Sequence, residues 1–166
     1  MPTSGTPKRK PSRAPELALT IQYGIRSAQL PSRARLRAWA HAALRRSAVV
    51  TLRIVGAREA RGLNRRFRRR DYATNVLSFA YSDQRPLAGD IAVCAPVAAR
   101  EARERGIGRD AHYAHLVIHG MLHLQGFDHD NERDALRMER LERRILARLG
   151  YADPYLTPHA SRQHGR

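Results

Sequence analysis

The chain has 166 residues, of which 31 are Lys or Arg and 15 are Asp or Glu, so its formal net charge is +16. This length suits one domain with a buried core, and this charge suits a polyanionic partner such as RNA, DNA or an anionic membrane surface. The single cysteine, Cys94, excludes an intramolecular disulfide, and no run of about 18 apolar residues is present to cross a membrane.

The two ends of the chain are predicted to be disordered. Residues 1–15 are Pro, Ser and basic residues with almost nothing to bury, and residues 157–166 form a second tail. The basic N-terminal tail either contacts nucleic acid or only adds solubility. The folded domain is therefore expected to span residues 16–156. Because the start of the sequence lacks the apolar segment of a secretory signal, a cytoplasmic location is expected.

Strands and helices alternate in the first half of the folded region. Apolar residues alternate along 17–23, as in a half-buried strand, and 49–55 is a second apolar strand. A helix with an apolar stripe is predicted over 31–46, opened by its Pro-Ser pair. A second helix is predicted over 57–67. The pattern indicates successive strand–helix units.

Basic residues are concentrated at the end of the helix 57–67. Its apolar face carries Ala60, Leu63 and Phe67, so Phe67 is expected to anchor the end of the helix. A genome that favours arginine codons would explain a diffuse excess of charge, whereas these residues form a local basic patch in a folded region. The patch consists of Arg65, Arg66, Arg68, Arg69 and Arg70.

The second half of the chain begins with strands and ends with helices. Strands are predicted over 75–81 and 90–94, where Cys94 is expected to be a small buried apolar residue. A helix over 96–105 follows, and two more helices come after it. Four strands and five helices, the last three consecutive, predict the α+β class: a single domain with a small mixed sheet of about four strands covered by about five helices.

Polar residues at the helix ends suggest caps for the last two helices. Asp110 is expected to cap a helix that runs to Gln125, and either Asp130 or Asn131 is expected to cap the final helix. Gly150 is expected to end that helix.

Three histidines have the spacing of a metal site. His119 and His123 are four residues apart, so on a helix their imidazoles lie on one face and reach one ion together. Gly126 lets the chain turn back and brings His129 round as a third ligand. Three neutral imidazoles with one open position are typical of a catalytic zinc site, whereas structural sites usually contain cysteines. Nickel, copper or iron would also suit such ligands.

The residue after the first histidine separates this motif from that of metzincin proteases. Those enzymes carry a glutamate there, which takes a proton from the metal-bound water, whereas this chain has Gly120. Asp128 is the nearest carboxylate in the sequence. It either accepts an imidazole N–H and so supports a ligand, or is a solvated turn residue.

The sequence resembles the YbeY family of metal-dependent endoribonucleases. The resemblance spans residues 17–155, and HGxLHLxGxDH is a highly specific motif. The chain departs from the family pattern at Arg69, where glycine is usual, and at Ala73, where proline is common. The segments that carry the resemblance are LNRRFRRRD at 63–71, TNVLSF at 74–79, GDI at 89–91, HGMLHLQGFDH at 119–129 and the Met-Glu pair at 138–139.

The resemblance implies a fold with a zincin-like metal site on a helix and one Zn²⁺ per chain. It implies cleavage of single-stranded RNA, 3′ end maturation of small-subunit ribosomal RNA and ribosome quality control. The implied partners are ribosomal RNA, the small ribosomal subunit and its assembly factors, without DNA or a membrane. His119, His123 and His129 match the family's zinc ligands, and Arg68 matches its functionally important arginine.

The absence of a neighbouring glutamate is chemically consistent with RNA cleavage. RNA carries its own nucleophile, the 2′-OH, and a metal ion can polarise the phosphate without a nearby carboxylate. Such a site also needs a cation for the charge that develops on the phosphate, and Arg68 can supply it. The alternative, from the residue alone, is a solvated arginine at the end of a helix. Thr74 is expected to have a structural role, while Asn75 and Ser78 either contact substrate or hydrogen-bond a strand end.

Two other functions remain open at this level. One is a zinc peptidase with metzincin-like spacing, against which Gly120 argues. The other is a non-enzymatic ribosome-assembly factor with a structural metal, against which the open coordination position argues.

Overall fold

The computed structural model describes residues 11–82 and 85–156. Five helices and a four-stranded mixed sheet confirm the predicted α+β class. The predicted tails fall largely on residues 1–10 and 157–166, which lie outside the described residues. The elements in chain order are β1 Leu17–Tyr23, α1 Arg33–Ala42, β2 Ala48–Val55, α2 Ala57–Arg68, β3 Val76–Ser82, β4 Leu87–Cys94, α3 Ala95–Arg105, α4 Arg109–Leu124 and α5 Glu132–Arg148.

The sheet has the strand order β1-β2-β4-β3. β1 and β2 are parallel, as are β2 and β4, while β3 pairs antiparallel with β4 at the edge. Leu52 of β2 lies opposite Ile21 on one side and Ile91 on the other, so one apolar row crosses the three parallel strands. This row faces the main core, where all three side chains are buried.

Helices cover the two faces of the sheet unequally. α1, α4 and α5 pack over one face, and their buried side chains form the larger core with the sheet. α2 lies over the other face, where a smaller apolar cluster includes Val55, Ala60, Leu77 and Cys94. Cys94 is a buried free thiol, as the sequence predicted. None of the helices in the described ranges is long and apolar enough to cross a bilayer.

Two glycines allow α4 to lie close against the sheet. A Cβ added at Gly120 of α4 would stand 3.0 Å from Cγ2 of Ile91. A Cβ added at Gly89 of β4 would stand 2.7 Å from Cδ2 of Leu124 and 2.6 Å from the backbone oxygen of Phe79. Side chains at these positions would push the helix away from the sheet. The C-terminal half of α4 is therefore held at the centre of the domain.

The first helix ends earlier than its apolar stripe suggested. α1 stops at Ala42 instead of continuing through Arg46. The backbone N–H groups of Arg45 and Arg46 turn toward Gln125 and donate to its Oε1 at 2.7 and 3.3 Å. A tertiary contact that the local pattern does not contain therefore replaces the last predicted turn.

One predicted helix cap is wrong and another is confirmed. α4 has Gly108 at its N-cap without a side-chain bond, and Asp110 lies inside the first turn, paired with Arg35 of α1. A carboxylate there still favours the helix, because it lies near the positive end of the helix dipole. At α5 the cap is Asn131, whose Oδ1 accepts from the Asp134 amide at 2.9 Å.

Candidate metal centre

Histidines form a stripe along one side of α4. His112, His115, His119 and His123 recur every three or four residues and so lie above one another on the helix. His112 and His115 are buried, whereas His119 and His123 are only partly buried. His112 bonds Glu101 of α3 through Nε2 at 3.0 Å, which ties two helices together. The stripe therefore has a structural end and an accessible end.

The turn after α4 brings a third imidazole to the accessible end of the stripe. Gly126 has a φ of +97°, a conformation that glycine adopts without steric cost. The ring centre of His129 then lies 5.5 Å from that of His119 and 6.1 Å from that of His123. His123, Asp128 and His129 form one group of donor atoms that all lie within 4.8 Å of one another. His119 lies beside this group rather than within it.

Hydrogen bonds orient the rings of the two helical histidines. Nδ1 of His119 lies 2.8 Å from Oε1 of Glu142, and Nδ1 of His123 lies 3.2 Å from the backbone oxygen of Phe127. Both partners are acceptors, so each Nδ1 carries the proton and each Nε2 keeps a lone pair for a metal ion. Burial, together with the nearby His119, lowers the pKa of His123, which favours the neutral ligand form.

Glu142 is the residue that the sequence reasoning missed. It is 1% exposed and also accepts from Nε2 of His115 at 2.8 Å and from the hydroxyl of Tyr155. Burial opposes ionisation of this carboxyl, but the bonds from His115, His119 and Tyr155 outweigh burial and lower its pKa to about 2. The sequence did contain a signal for it: Glu142 is the one acidic residue among the buried positions of α5.

Among the described residues, no imidazole N–H donates to Asp128, which was one of its two expected roles. Its Oδ1 accepts the backbone N–H of His129 at 2.7 Å and lies 4.0 Å from Nδ1 of that ring. The hydrogen bond from the His129 backbone N–H lowers the pKa of Asp128. A hydrogen bond between the carboxyl groups of Asp128 and Asp130 raises the pKa of Asp130. Asp128 therefore shapes the turn and places a carboxylate beside the histidines.

The histidines open into a cleft of about 590 Å³, and Arg68 lines the same cleft. Arg68 donates to the backbone oxygen of Ser78 at 3.0 Å, and its guanidinium lies 5.2 Å from the ring centre of Phe79. Phe67 was expected to anchor the helix from the apolar face, but it is 52% exposed and contacts Phe79 at 5.0 Å between ring centres. Arg68 is therefore oriented by β3 instead of by a buried Phe67.

The residue after Arg68 adopts a conformation usually taken by glycine. Arg69 has a φ of +58° and ends α2, the left-handed position that glycine favours after a helix. Among the described residues it is the one non-glycine with a positive φ. Arg69 adopts this left-handed conformation at a cost of about 1 kcal/mol relative to a right-handed one.

The polar residues before and within β3 have different roles. Asn75 is structural: its Oδ1 accepts the Val76 amide at 2.7 Å, and its Nδ2 donates to Glu101 at 3.0 Å. Ser78 is buried, and its backbone oxygen orients Arg68. Thr74 lines the cleft.

The donor set fits a divalent metal ion. Nε2 lone pairs on His119 and His123 point away from their Nδ1 partners, and His129 and Asp128 complete a group of nitrogen and oxygen donors at one wall of the cleft. Imidazole and carboxylate donors suit zinc and its neighbours in the first transition row.

Comparison with known proteins agrees on one family. A family model described as Endoribonuclease YbeY matches residues 26–150. A Nitrosomonas europaea protein named Endoribonuclease YbeY is 50% identical over 96% of this chain and 97% of its own length. An Aromatoleum aromaticum protein of the same name is 55% identical over 84% of this chain and 92% of its own length. The fold is shared with a Thermotoga maritima protein solved in solution, with a TM-score of 0.53, 23% identity, and coverage of 83% of this chain and 99% of that one.

We expect purified protein to bind about one equivalent of divalent metal ion, as a single tetrahedral site would. Replacing His119, His123 or His129 with alanine should each reduce this content after dialysis and lower the melting temperature, because metal binding stabilises the folded state. Asp128→Ala should retain the metal. If His119→Ala kept its metal and Asp128→Ala lost it, the ion would instead be assigned to His123, Asp128 and His129.

We also expect Glu142→Gln to weaken metal binding by about 10- to 100-fold, because the neutral amide no longer fixes the His119 ring with a charged acceptor. A competition titration with a chelating dye measures this affinity. The matched control is Glu139→Gln, at a more exposed site on the same helix, where the carboxylate lies 3.9 Å from Arg143. Equal affinities for the two variants would show that the carboxylate does not position the ligand.

Proposed function

The chain belongs to the Endoribonuclease YbeY family, and from this premise we propose that it is a zinc-dependent endoribonuclease that cleaves single-stranded RNA. The proposed role is 3′ end maturation of small-subunit ribosomal RNA and ribosome quality control in the cytoplasm, with the small subunit and its assembly factors as partners. The observation that carries the reaction is that the three histidines and Arg68 line one open cleft.

The position of Gly120 argues against a peptidase. A glutamate at this position would begin with a Cβ 3.0 Å from Ile91, at the interface between α4 and the sheet. Ile91 would have to shift by a few tenths of an ångström to admit even the Cβ, and glycine itself supplies no carboxylate where a metzincin has its base. RNA needs no such residue to provide a nucleophile, because its 2′-OH is part of the substrate.

We assign His119, His123 and His129 as the ligands of one Zn²⁺ per chain. The hydrogen bonds made by Nδ1 of His119 and His123 support this assignment, because they leave the lone pair of each Nε2 free to bind a metal ion. A bound zinc ion would supply a Lewis acid that polarises the phosphate. The openness of the cleft supports a catalytic rather than a structural ion, since structural zinc is usually enclosed by four protein ligands.

Arg68 is proposed to stabilise the reacting phosphate. Its guanidinium is held by Ser78 and Phe79. It lines the same cleft as the histidines. A cation held in place before the reaction stabilises charge that grows in the transition state, and it needs no reorganisation at that moment. Arg70 also lines the cleft, but within the described part of the chain its guanidinium donates to the hydroxyl of Tyr72 alone, at 3.4 Å. We therefore assign the chemical step to Arg68 and a binding role to Arg70.

The proposed activity is tested by offering metal-replete protein three substrates: single-stranded RNA, duplex RNA and casein. We expect cleavage of single-stranded RNA alone, because a flexible strand can bend its phosphate into the cleft. His123→Ala should abolish it. Cleavage of casein would favour the peptidase, and RNA binding without cleavage by the metal-loaded protein would favour an assembly factor.

Arg68→Ala should keep its metal and most of its RNA affinity but cleave about a hundredfold more slowly, the usual effect of removing one preorganised donor worth about 3 kcal/mol. Arg68→Lys should recover little of the rate, because an ammonium lacks the planar fork of the guanidinium. Single-turnover kinetics with excess enzyme measure the rate on fully bound RNA.

The control for this experiment is Arg66→Ala. Arg66 lies two residues away on the same helix and stacks over the exposed Phe67 at 5.2 Å, outside the residues that line the cleft. Its replacement should weaken binding and leave the single-turnover rate unchanged. A wild-type rate for Arg68→Ala on saturating RNA would reassign Arg68 to the binding patch.

A further inference from the structure

Four arginines from two distant parts of the chain surround Phe127. Arg45 follows α1, and the other three lie on one side of α5. The guanidinium carbons of Arg45 and Arg137 lie 5.9 and 5.5 Å from the ring centre of Phe127. Together the residues line a cavity of about 230 Å³. We call this group the Phe127 cluster, and its arginines are Arg45, Arg137, Arg140 and Arg144.

The charge of the Phe127 cluster is not neutralised within the protein. All four arginines are exposed, and within residues 11–82 and 85–156 none of them forms an ion pair with a carboxylate. On the same helix, by contrast, Arg143 pairs with Glu139 and Asp153. Like charges held together repel one another, so binding of a polyanion would relieve a repulsion that the fold itself leaves in place.

The Phe127 cluster is attached to the metal-binding turn. The backbone oxygen of Phe127 accepts from Nδ1 of His123, while its ring packs beneath the arginines. Gln125 holds Arg45 in place: its Oε1 accepts the Arg45 amide at 2.7 Å, and its Nε2 donates to the Ala43 oxygen at 2.9 Å. The cluster is thus a preorganised surface on the segment that also carries the metal ligands.

The Phe127 cluster adjoins the metal cleft through the turn after α4, because Phe127 is followed directly by Asp128, which lines the cleft. One wall is formed by the end of α2 and the segment leading into β3, and includes Arg68 and Arg70. The other is formed by α4 and the turn through His129 and Asp130. None of the four cluster arginines lines the cleft itself. Arg68 and Arg70 of the basic patch therefore lie at one wall of the cleft, and the turn at the other wall leads directly to the Phe127 cluster.

We propose that the Phe127 cluster is a second binding surface for the backbone of the RNA substrate, contacting phosphates beyond those that occupy the metal cleft. This rests on the proposed function. The chemistry recognised is the phosphodiester backbone of a single strand, because guanidinium groups bind phosphate bidentately and a strand is long enough to span both surfaces. An acidic protein segment is the competing partner. Continuity with the cleft favours the substrate.

The test measures how the affinity of metal-replete protein for single-stranded RNA changes with salt. Each phosphate contact on a single strand contributes about −0.7 to the slope of log affinity against log salt. Arg137→Ala/Arg140→Ala should therefore flatten the slope by about 1.4 for an oligonucleotide of about 16 nucleotides. For one of about 4 nucleotides, bound only at the cleft, the slope should not change.

The matched control is Arg26→Ala/Arg103→Ala, which removes the same charge from exposed positions outside the Phe127 cluster. Its slope should follow the wild type. Arg137→Gln/Arg140→Gln keeps most of each side-chain stem and should reproduce the alanine result, which separates lost charge from lost packing. Metal content and melting temperature of all variants should match the wild type.

The outcomes separate this proposal from the proposed function. If the wild type cleaves single-stranded RNA but the Arg137/Arg140 variant keeps its salt slope on the long oligonucleotide, the proposal is wrong and an acidic protein becomes the better partner. An equal flattening in the control would also overturn it, since the effect would then come from net charge. If the wild type neither binds nor cleaves RNA, the proposed function fails and this proposal fails with it.

Discussion

The close packing of α4 on the sheet is the constraint on which the rest of the molecule depends. It requires glycine at Gly89 and Gly120, where a Cβ would meet Leu124 or Ile91 at 3.0 Å or less. Held at this depth, α4 buries His112 and His115 while leaving His119 partly exposed at the cleft. The same packing disfavours a side chain at position 120, directly after His119. The fold thus sets the position of the imidazoles and keeps a glycine, not a glutamate, directly after His119.

A single buried carboxylate connects this helix to the rest of the domain. Glu142 of α5 accepts from His115, His119 and Tyr155, which joins α4, α5 and the segment after α5. An ionised group at this depth is stable only while its donors remain, and losing one leaves an uncompensated charge. The orientation of His119 and the packing of α5 are therefore coupled. The motif histidines alone do not define the centre; the helix that follows them completes it.

Residues close together in sequence were predictable, and contacts between distant residues were not. The strands, the helices and the turn that returns His129 follow from local periodicity and one glycine. Glu142 was missed because a lone acidic residue in an apolar stripe does not reveal what it faces. Asp110 was misjudged for a similar reason: local capping rules suggested an N-cap, but it pairs with Arg35 of another helix. Phe67 was expected to be buried, but it is exposed because the end of α2 lies beyond the smaller apolar cluster.

The turn after α4 is the point where these interactions meet. Within five residues it contributes Gln125 to the end of α1, the Phe127 oxygen to His123, the Phe127 ring to the arginines of α5, and His129 to the cleft. Each of these contacts also restricts the others, because the segment is short and its backbone is fixed by the positive φ of Gly126. A strand bound by the arginines would therefore press on the same backbone that orients His123. A strand bound there would couple substrate binding to the orientation of the His123 ring.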